Sequence, residues 1–239
     1  MLRPLLTGLA AAVLSMGAQA NIVVQSYTML DGADLHGAYF DNGYTASPAG
    51  TLTGSRSLVG GAGLLSGGKG DLTDGVLSAS VSAGYGAWAP YVMWDGSSPV
   101  ITFDLGSSHI LSSVTTYFKY YPAAAVYMPG SVGMRFSDDG VNFGGTQTRS
   151  LSAAERVPGA NDSDGVFQVL TSPASGRYVE LTLNNGPEGR WLALGEVVFD
   201  GAPGSLAASV PEPGAASLVL VALAGMGVAR RRKAHGRAA

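Results

Sequence analysis

The chain has 239 residues, no cysteine, 35 glycines and only 13% charged residues. The lack of cysteine excludes disulfides and thiolate metal sites, and many glycines with few charges favour short strands and tight turns over a helical bundle. Residues 21–210 hold sixteen acidic and eight basic residues, a net charge of about −8. Such a surface repels nucleic acid and suits a neutral ligand or cations.

Residues 1–20 have the three parts of a secretory signal peptide in the right order. Arg3 supplies the positive start, residues 5–16 form an apolar run, and Ala18-Gln19-Ala20 is a small-x-small cleavage triplet. The alternative is a buried N-terminal helix. The pattern predicts export, with a mature chain that begins at Asn21.

Alternating apolar residues and glycine turns indicate strands through the next segment. The candidate strands are residues 22–30, 100–105 (ended by Gly106), 110–121, 132–136, 166–171, 179–183 and 191–199. None of these segments has a strong helical period. Short strands at this spacing predict one all-β sandwich domain over residues 21–201, followed by a linker at 202–209.

Four aromatic residues lie close together in a glycine-containing stretch: Tyr85, Trp88, Tyr91 and Trp94. Aromatic rings offer a large, rigid surface on which the C–H face of a sugar can stack. One interpretation is therefore a carbohydrate-binding platform. The other is that Trp88 is a core residue. For Trp94 the sequence does not choose between the two interpretations.

Two further motifs resemble ligand-binding loops but lack residues that such loops require. The glycine-rich run at 63–69 ends in Lys69, but Gly70 stands where a phosphate-binding loop needs Ser or Thr. Asp162-Ser163-Asp164-Gly165 resembles part of a calcium loop, but Ala160 and Thr171 occupy other ligand positions. We expect a flexible loop in the first case and a solvated turn in the second.

The C-terminal segment, residues 210–234, has its own organisation. Pro211, Glu212 and Pro213 precede a fifteen-residue apolar run at 215–229, and a basic cluster follows at Arg230, Arg231 and Arg232. The run predicts a short transmembrane helix, because about 20 residues make a full span, with the basic cluster on the cytoplasmic side. An ordinary membrane anchor is the alternative interpretation.

This order of Pro-Glu-Pro, apolar run and arginine cluster closely resembles the PEP-CTERM sorting signal. The resemblance implies recognition by an exosortase, a membrane protease-transpeptidase, with cleavage near Pro211 to Pro213. It also implies a Gram-negative bacterium that makes extracellular polysaccharide. The protein would be held in the inner membrane before processing and would then reach the cell envelope or extracellular matrix.

A second resemblance covers residues 69–201. Five motifs and a tryptophan occur in order: Leu-Thr-Asp-Gly at 72–75, Trp88, and residues 101–106, 135–143, 177–181 and 194–199. They look like the discoidin, or coagulation-factor type C, family with its galactose-binding-like jelly roll. The resemblance implies a non-catalytic domain that binds sugars or lipid head groups through loops at one end. It also implies a structural calcium ion held by Asp74 and Glu196.

The segment at 21–68 is longer and richer in glycine than the first strand of that family. Binding loops vary most within a fold, so the ligand is less certain than the architecture. Three functions remain open: a matrix protein that binds extracellular polysaccharide, a purely structural envelope protein, and a polysaccharide hydrolase. For a hydrolase, no local sequence pattern indicates an activated nucleophile or a general base.

Overall fold

The computed structural model describes residues 20–44 and 50–204. The predicted signal peptide apart from Ala20, most of the linker and the C-terminal segment with its apolar run lie outside the described residues. Within the described part there are eleven strands, three 3₁₀ helices of three or four residues and no α-helix, which confirms the all-β prediction. No helix in these residues is long and apolar enough to cross a membrane.

The strands follow one another along the chain as β1 (Ala20–Asn21), β2 (Ser26–Leu30), β3 (Thr51–Thr53), β4 (Leu64–Gly68), β5 (Val92–Asp95), β6 (Val100–Tyr120), β7 (Pro129–Ser137), β8 (Gln147–Ser150), β9 (Ser163–Gln168), β10 (Ala174–Asn185) and β11 (Trp191–Pro203). The 3₁₀ helices are Asp71–Thr73, Tyr85–Trp88 and Pro122–Ala124. Strands β2, β9 and most of β10 alternate buried and more exposed positions, because successive side chains point to opposite faces, whereas the first seven residues of β11 are all buried.

Strand β6 belongs to both layers of the sandwich. Its first half pairs with β2 and β10, and its second half pairs with β11 and β9. The first layer has the order β3-β4-β2-β6-β10-β7-β8, while β5, β11, β6 and β9 make the second. The rings of Phe103 in β6 and Phe199 in β11 lie 5.1 Å apart, so the two layers face each other across the core.

Gly106 does not end a strand as the sequence suggested. The ladder continues through it, and Gly106 has a φ of +81°. The register with β10 shifts near this point, between Gly176 and Tyr178. Gly106 therefore lies at an irregularity within one 21-residue strand, where a left-handed backbone favours glycine.

The two ends of the sandwich differ. At the terminal end, Ala20 pairs with Gly201, so the beginning and end of the domain are adjacent. At the aromatic end, where β6 finishes and β11 begins, a second apolar cluster separate from the main core includes Tyr39, Trp88, Tyr91 and Trp191. Loops at this end are candidates for ligand binding.

Candidate functional site

The four aromatic residues singled out in the sequence have different environments. The side chain of Tyr85 is 55% exposed, whereas Trp88, Tyr91 and Trp94 are 5%, 1% and 1% exposed. The buried rings also use their polar atoms internally: Trp94 Nε1 donates to the Leu30 carbonyl at 3.0 Å. A ring that stacks on a sugar needs an open face, so the expected four-ring platform is not formed. Three of the rings complete the apolar interior, where large aromatic area is most stabilising.

Tyr85 has an exposed partner that sequence reasoning missed. The imidazole of His36 stacks on the Tyr85 ring with centroids 3.9 Å apart and planes inclined by 27°. Tyr39 lies beside the pair, 6.4 Å from Tyr85, and makes edge contacts with Trp88 and Trp191. His36 comes from the glycine-rich segment outside the recognised motifs, so no local pattern signals this contact.

The Asp162 motif is a structural ion-pair site and not a solvated turn. Lys119 is 1% exposed, and its Nζ lies 2.8 Å from Asp162 Oδ1 and 2.9 Å from Asp164 Oδ1. Asp162 also accepts hydrogen bonds from the Ser80 hydroxyl and the Val81 N–H. The two carboxylates therefore neutralise a buried lysine and fasten the segment that leads to Tyr85.

Asp74 and Glu196, the predicted calcium ligands, line the same cavity of about 350 Å³, although 121 residues separate Gly75 from Glu196. Glu196 is 5% exposed and accepts the Gly75 N–H at 3.0 Å. Burial, and to a smaller extent the negative charge of Asp74, raises the pKa of Glu196 to about 7. A cation bound nearby would stabilise the ionised form of this buried carboxylate.

The cavity offers other oxygen atoms. The buried Thr73 hydroxyl has no hydrogen-bond partner, and the segment also supplies backbone carbonyls. Oxygen atoms of these types are the ligands that calcium prefers. The described residues contain no group of three or more His, Cys, Asp or Glu side chains arranged to hold a metal, so a cation here would depend partly on hydroxyl and carbonyl ligands.

Three more buried carboxylates lie next to this region: Asp31, Asp41 and Asp71 are 0%, 1% and 5% exposed. Arg56 Nε pairs with Asp31 at 2.7 Å, and the Tyr27 hydroxyl donates to Asp41. Burial raises the pKa of Asp41 to about 6 and that of Asp71 to about 7. These acids were not among the predicted site residues, because the sequence places them in separate loops.

The basic residues of the described part are almost all paired. Seven of the eight form ion pairs with carboxylates of the same domain: Arg56, Lys119, Arg135, Arg149, Arg156, Arg177 and Arg190. Lys69 is in none of these pairs and lines the cavity of Asp74 and Glu196. No arginine of residues 20–44 and 50–204 is therefore left to bind an anionic ligand.

A direct comparison with known protein families identifies the type of the C-terminal segment. Residues 209–233 match the PEP-CTERM protein-sorting motif. The chain carries a PEP-CTERM sorting signal. This motif indicates export and membrane-associated sorting through exosortase processing, as the order of its three parts predicted.

Solved structures similar to this chain include carbohydrate-binding modules, a lectin and glycoside-hydrolase or lyase proteins. The C-terminal domain of a chitobiase from Bacteroides fragilis is 14% identical, with 78% of this chain and 100% of that one covered and a TM-score of 0.41. A family-32 carbohydrate-binding module from Clostridium perfringens, in complex with GalNAc-β-1,3-galactose, is 17% identical, with coverages of 46% and 76% and a TM-score of 0.33. A fucolectin from striped bass serum, Morone saxatilis, is 18% identical, with coverages of 56% and 41% and a TM-score of 0.35. A search of curated proteins finds no relative by sequence.

Proposed function

We propose that this is an exported, non-catalytic protein that binds an uncharged extracellular polysaccharide through the aromatic end of its sandwich. The observation that carries the proposal is the Tyr85 ring, which is 55% exposed while its aromatic neighbours are buried. Tyr39 is 7% exposed, lies 6.4 Å from Tyr85 between ring centroids, and makes edge contacts with Trp88 and Trp191 of the buried aromatic cluster. A fixed, exposed ring loses little conformational entropy when a sugar stacks on it.

The charge distribution supports an uncharged ligand. Acidic sugars are usually held by arginine, which binds a carboxylate through two parallel hydrogen bonds. Every arginine in the described part of this protein is already paired with a carboxylate. An anionic polysaccharide would also meet a domain of negative net charge and would be repelled.

The sorting signal places the proposed function outside the cytoplasm. An exosortase in the inner membrane would cut the tail near Pro211 to Pro213, and the product would remain in the cell envelope or matrix of a Gram-negative bacterium. The described chain leaves the domain at Gly204, at the terminal end, while β11 begins at the aromatic end. The ten residue steps from Trp191 to Gly201 span roughly 30 Å at about 3.3 Å per residue, so the described chain ends at the side of the domain opposite to the start of β11.

We also propose that the cavity between Asp74 and Glu196 holds a structural calcium ion. Among residues 20–44 and 50–204, no basic side chain forms an ion pair with the buried Glu196 carboxylate, and the Thr73 hydroxyl has no hydrogen-bond partner. The ion would neutralise the charge of the carboxylates and would have no catalytic role. The ion would fasten the turn at residues 73–75 to β11.

A glycan array followed by titration calorimetry on the mature protein tests the carbohydrate proposal. We expect binding of a neutral glycan, a loss of at least tenfold in affinity in Tyr85→Ala, and no change in Tyr178→Ala, which alters a tyrosine away from the aromatic end. One well-stacked ring contributes about 1–3 kcal/mol, and about 1.4 kcal/mol is tenfold. Absence of binding to every glycan would favour a structural envelope protein, and release of sugar from a bound polysaccharide would show a hydrolase.

A further inference from the structure

The loop that carries His36 is held at its base by one residue of β5. The Ala33 N–H donates to the Met93 carbonyl at 2.8 Å, and the Met93 N–H donates to the Tyr39 carbonyl, also at 2.8 Å. Leu35 and Ala38 bond each other in both directions and close the turn. The two sides of the loop are thus fixed on the sheet, and residues 36–37 project from it.

The turn of this loop has a left-handed backbone at its two central residues. His36 has a φ of 57° and Gly37 a φ of 68°, as a two-residue hairpin turn between the paired Leu35 and Ala38 requires, and histidine adopts this conformation more often than most residues. Tyr39 has a φ of 75°, which is uncommon for a bulky residue and persists where the surrounding structure holds it. The turn presents the His36 side chain, and its imidazole stacks on Tyr85.

The imidazole contributes little to the core. Ala38 and Tyr39 are 5% and 7% exposed and anchor the loop in the aromatic cluster, whereas His36 lies on the exposed side. Its main contact is the stacked ring of Tyr85 at 3.9 Å. The imidazole therefore contacts an exposed ring, whereas Ala38 and Tyr39 anchor the loop in the interior of the protein.

We propose that the loop at residues 34–38 forms one wall of the carbohydrate site, and that His36 is a positioning residue that holds the Tyr85 ring for a neutral sugar. This inference rests on the proposed function. His36 covers one face of Tyr85, which leaves the other face and the ring edge for the ligand. Holding the ring in advance lowers the entropy lost on binding.

The test uses two substitutions at His36 in the mature protein. His36→Gly removes the ring and keeps the left-handed backbone, which glycine adopts without strain. His36→Phe keeps a ring that can stack. We expect the affinity for the glycan to fall roughly fivefold in His36→Gly, the size expected from one immobilised side chain, and to return to within about twofold in His36→Phe.

His109→Ala is the matched control, because His109 pairs with Pro203 at the terminal end. It should leave the affinity unchanged. A readout without ligand is the nuclear magnetic resonance signal of the Tyr85 ring, which should shift in His36→Gly and be largely restored in His36→Phe.

Two results would overturn the inference in different ways. If His36→Gly binds as well as the unsubstituted protein while Tyr85→Ala loses binding, His36 has no role and the proposed function stands. If the unsubstituted protein binds no glycan, both fail.

Discussion

The carboxylates of Asp41 and Asp71 each hold the backbone of the other's segment. Asp41 Oδ1 accepts the Asp71 N–H at 3.0 Å, and Asp71 accepts the N–H groups of Asn42 and Gly43 at 3.1 and 3.3 Å. This reciprocal contact attaches the glycine-rich N-terminal segment to the turn that precedes Asp74. Residues 21–44 and 50–68 are thereby part of the folded domain, and β2 lies between β4 and β6 within its first layer.

The first prediction is a loss of stability as the pH rises. Burial raises the pKa of Asp41 to about 6 in the folded protein, while an unfolded Asp titrates near 3.9. Between these values the folded state binds more protons than the unfolded state, so the contribution of Asp41 is full below about pH 4 and falls as the pH rises through about 6. We expect a loss on the order of 3 kcal/mol over the whole range, since the two pKa values differ by about two units and one unit is about 1.4 kcal/mol.

Chemical unfolding at pH 4.5 and pH 7.5, with chelator present, measures this change. Asp41→Asn cannot titrate and should lose less stability over the same range. Asp138→Asn, at an exposed position, should behave as the unsubstituted protein does. An equal loss in Asp41→Asn would show that other groups cause the pH dependence.

The second prediction concerns calcium. The ligands at Asp74 and Glu196 come together only on folding, so calcium binding should stabilise the folded state. Calcium at about 100 times its dissociation constant contributes about 2.7 kcal/mol, a rise of several degrees in melting temperature for a domain of this size. Differential scanning calorimetry with calcium and with chelator checks it.

Asp74→Ala should abolish the calcium-dependent part of the rise, and Asp138→Ala should retain it. Asp162 is not a suitable control, because it is paired with Lys119. Identical melting curves with and without calcium, in protein shown to be free of metal, would mean that Asp74 serves only its turn, where it accepts the Val76 N–H.

The third prediction compares the loss of stability when either side of the buried Lys119 ion pair is removed. Asp162→Asn with Asp164→Asn keeps most of the local hydrogen bonds but leaves the Lys119 charge buried and unpaired. Removal of one side of a buried ion pair costs about 3–5 kcal/mol, whereas an apolar replacement of the buried charge is often tolerated. We expect the double substitution to cost clearly more than Lys119→Met, in which the remaining carboxylates keep 19% and 34% of their side chains exposed to water. Urea unfolding of both variants decides this, and equal losses would contradict it.

The fourth prediction compares two glycines. A Cβ atom at Gly70 would collide with Asp41 Oδ1 and Cγ, whereas a Cβ at Gly145 would meet no atom within 4 Å. Gly70→Ala should therefore destabilise the domain by about 1–3 kcal/mol, the usual cost of overpacking. Gly145→Ala should be nearly neutral in the same unfolding measurement. Equal stability of the two variants would show that the Asp41 contact can relax.

Local patterns were sufficient for the sorting motif and for the all-β architecture. The proline pair, apolar run and arginine cluster are contiguous at 209–233, and several strands carry their own alternation of apolar residues. Such features need no knowledge of distant contacts. The glycine-rich run at 63–69 was wrongly expected to be a flexible loop, because its pairing as β4 with β2 and β3 depends on distant segments. The strand signal around Gly106 was also present, but the sequence could not show that pairing with a neighbouring strand continues through it.

The choice between a buried and an exposed aromatic ring depended on long-range packing. Tyr85 and Trp88 occupy the same short helix, yet one is exposed and the other is covered by Tyr39 and Tyr121. The same is true of the charged groups, since Lys119 meets Asp162 only when β6 lies beside β9. Exposure and pairing of a side chain depend on which segments fold over it, and spacing along the chain carries no information on that. The contact between His36 and Tyr85 is an example. Hydrogen bonds to Met93 hold the loop of His36 beside the segment of Tyr85, and the two segments share no sequence motif.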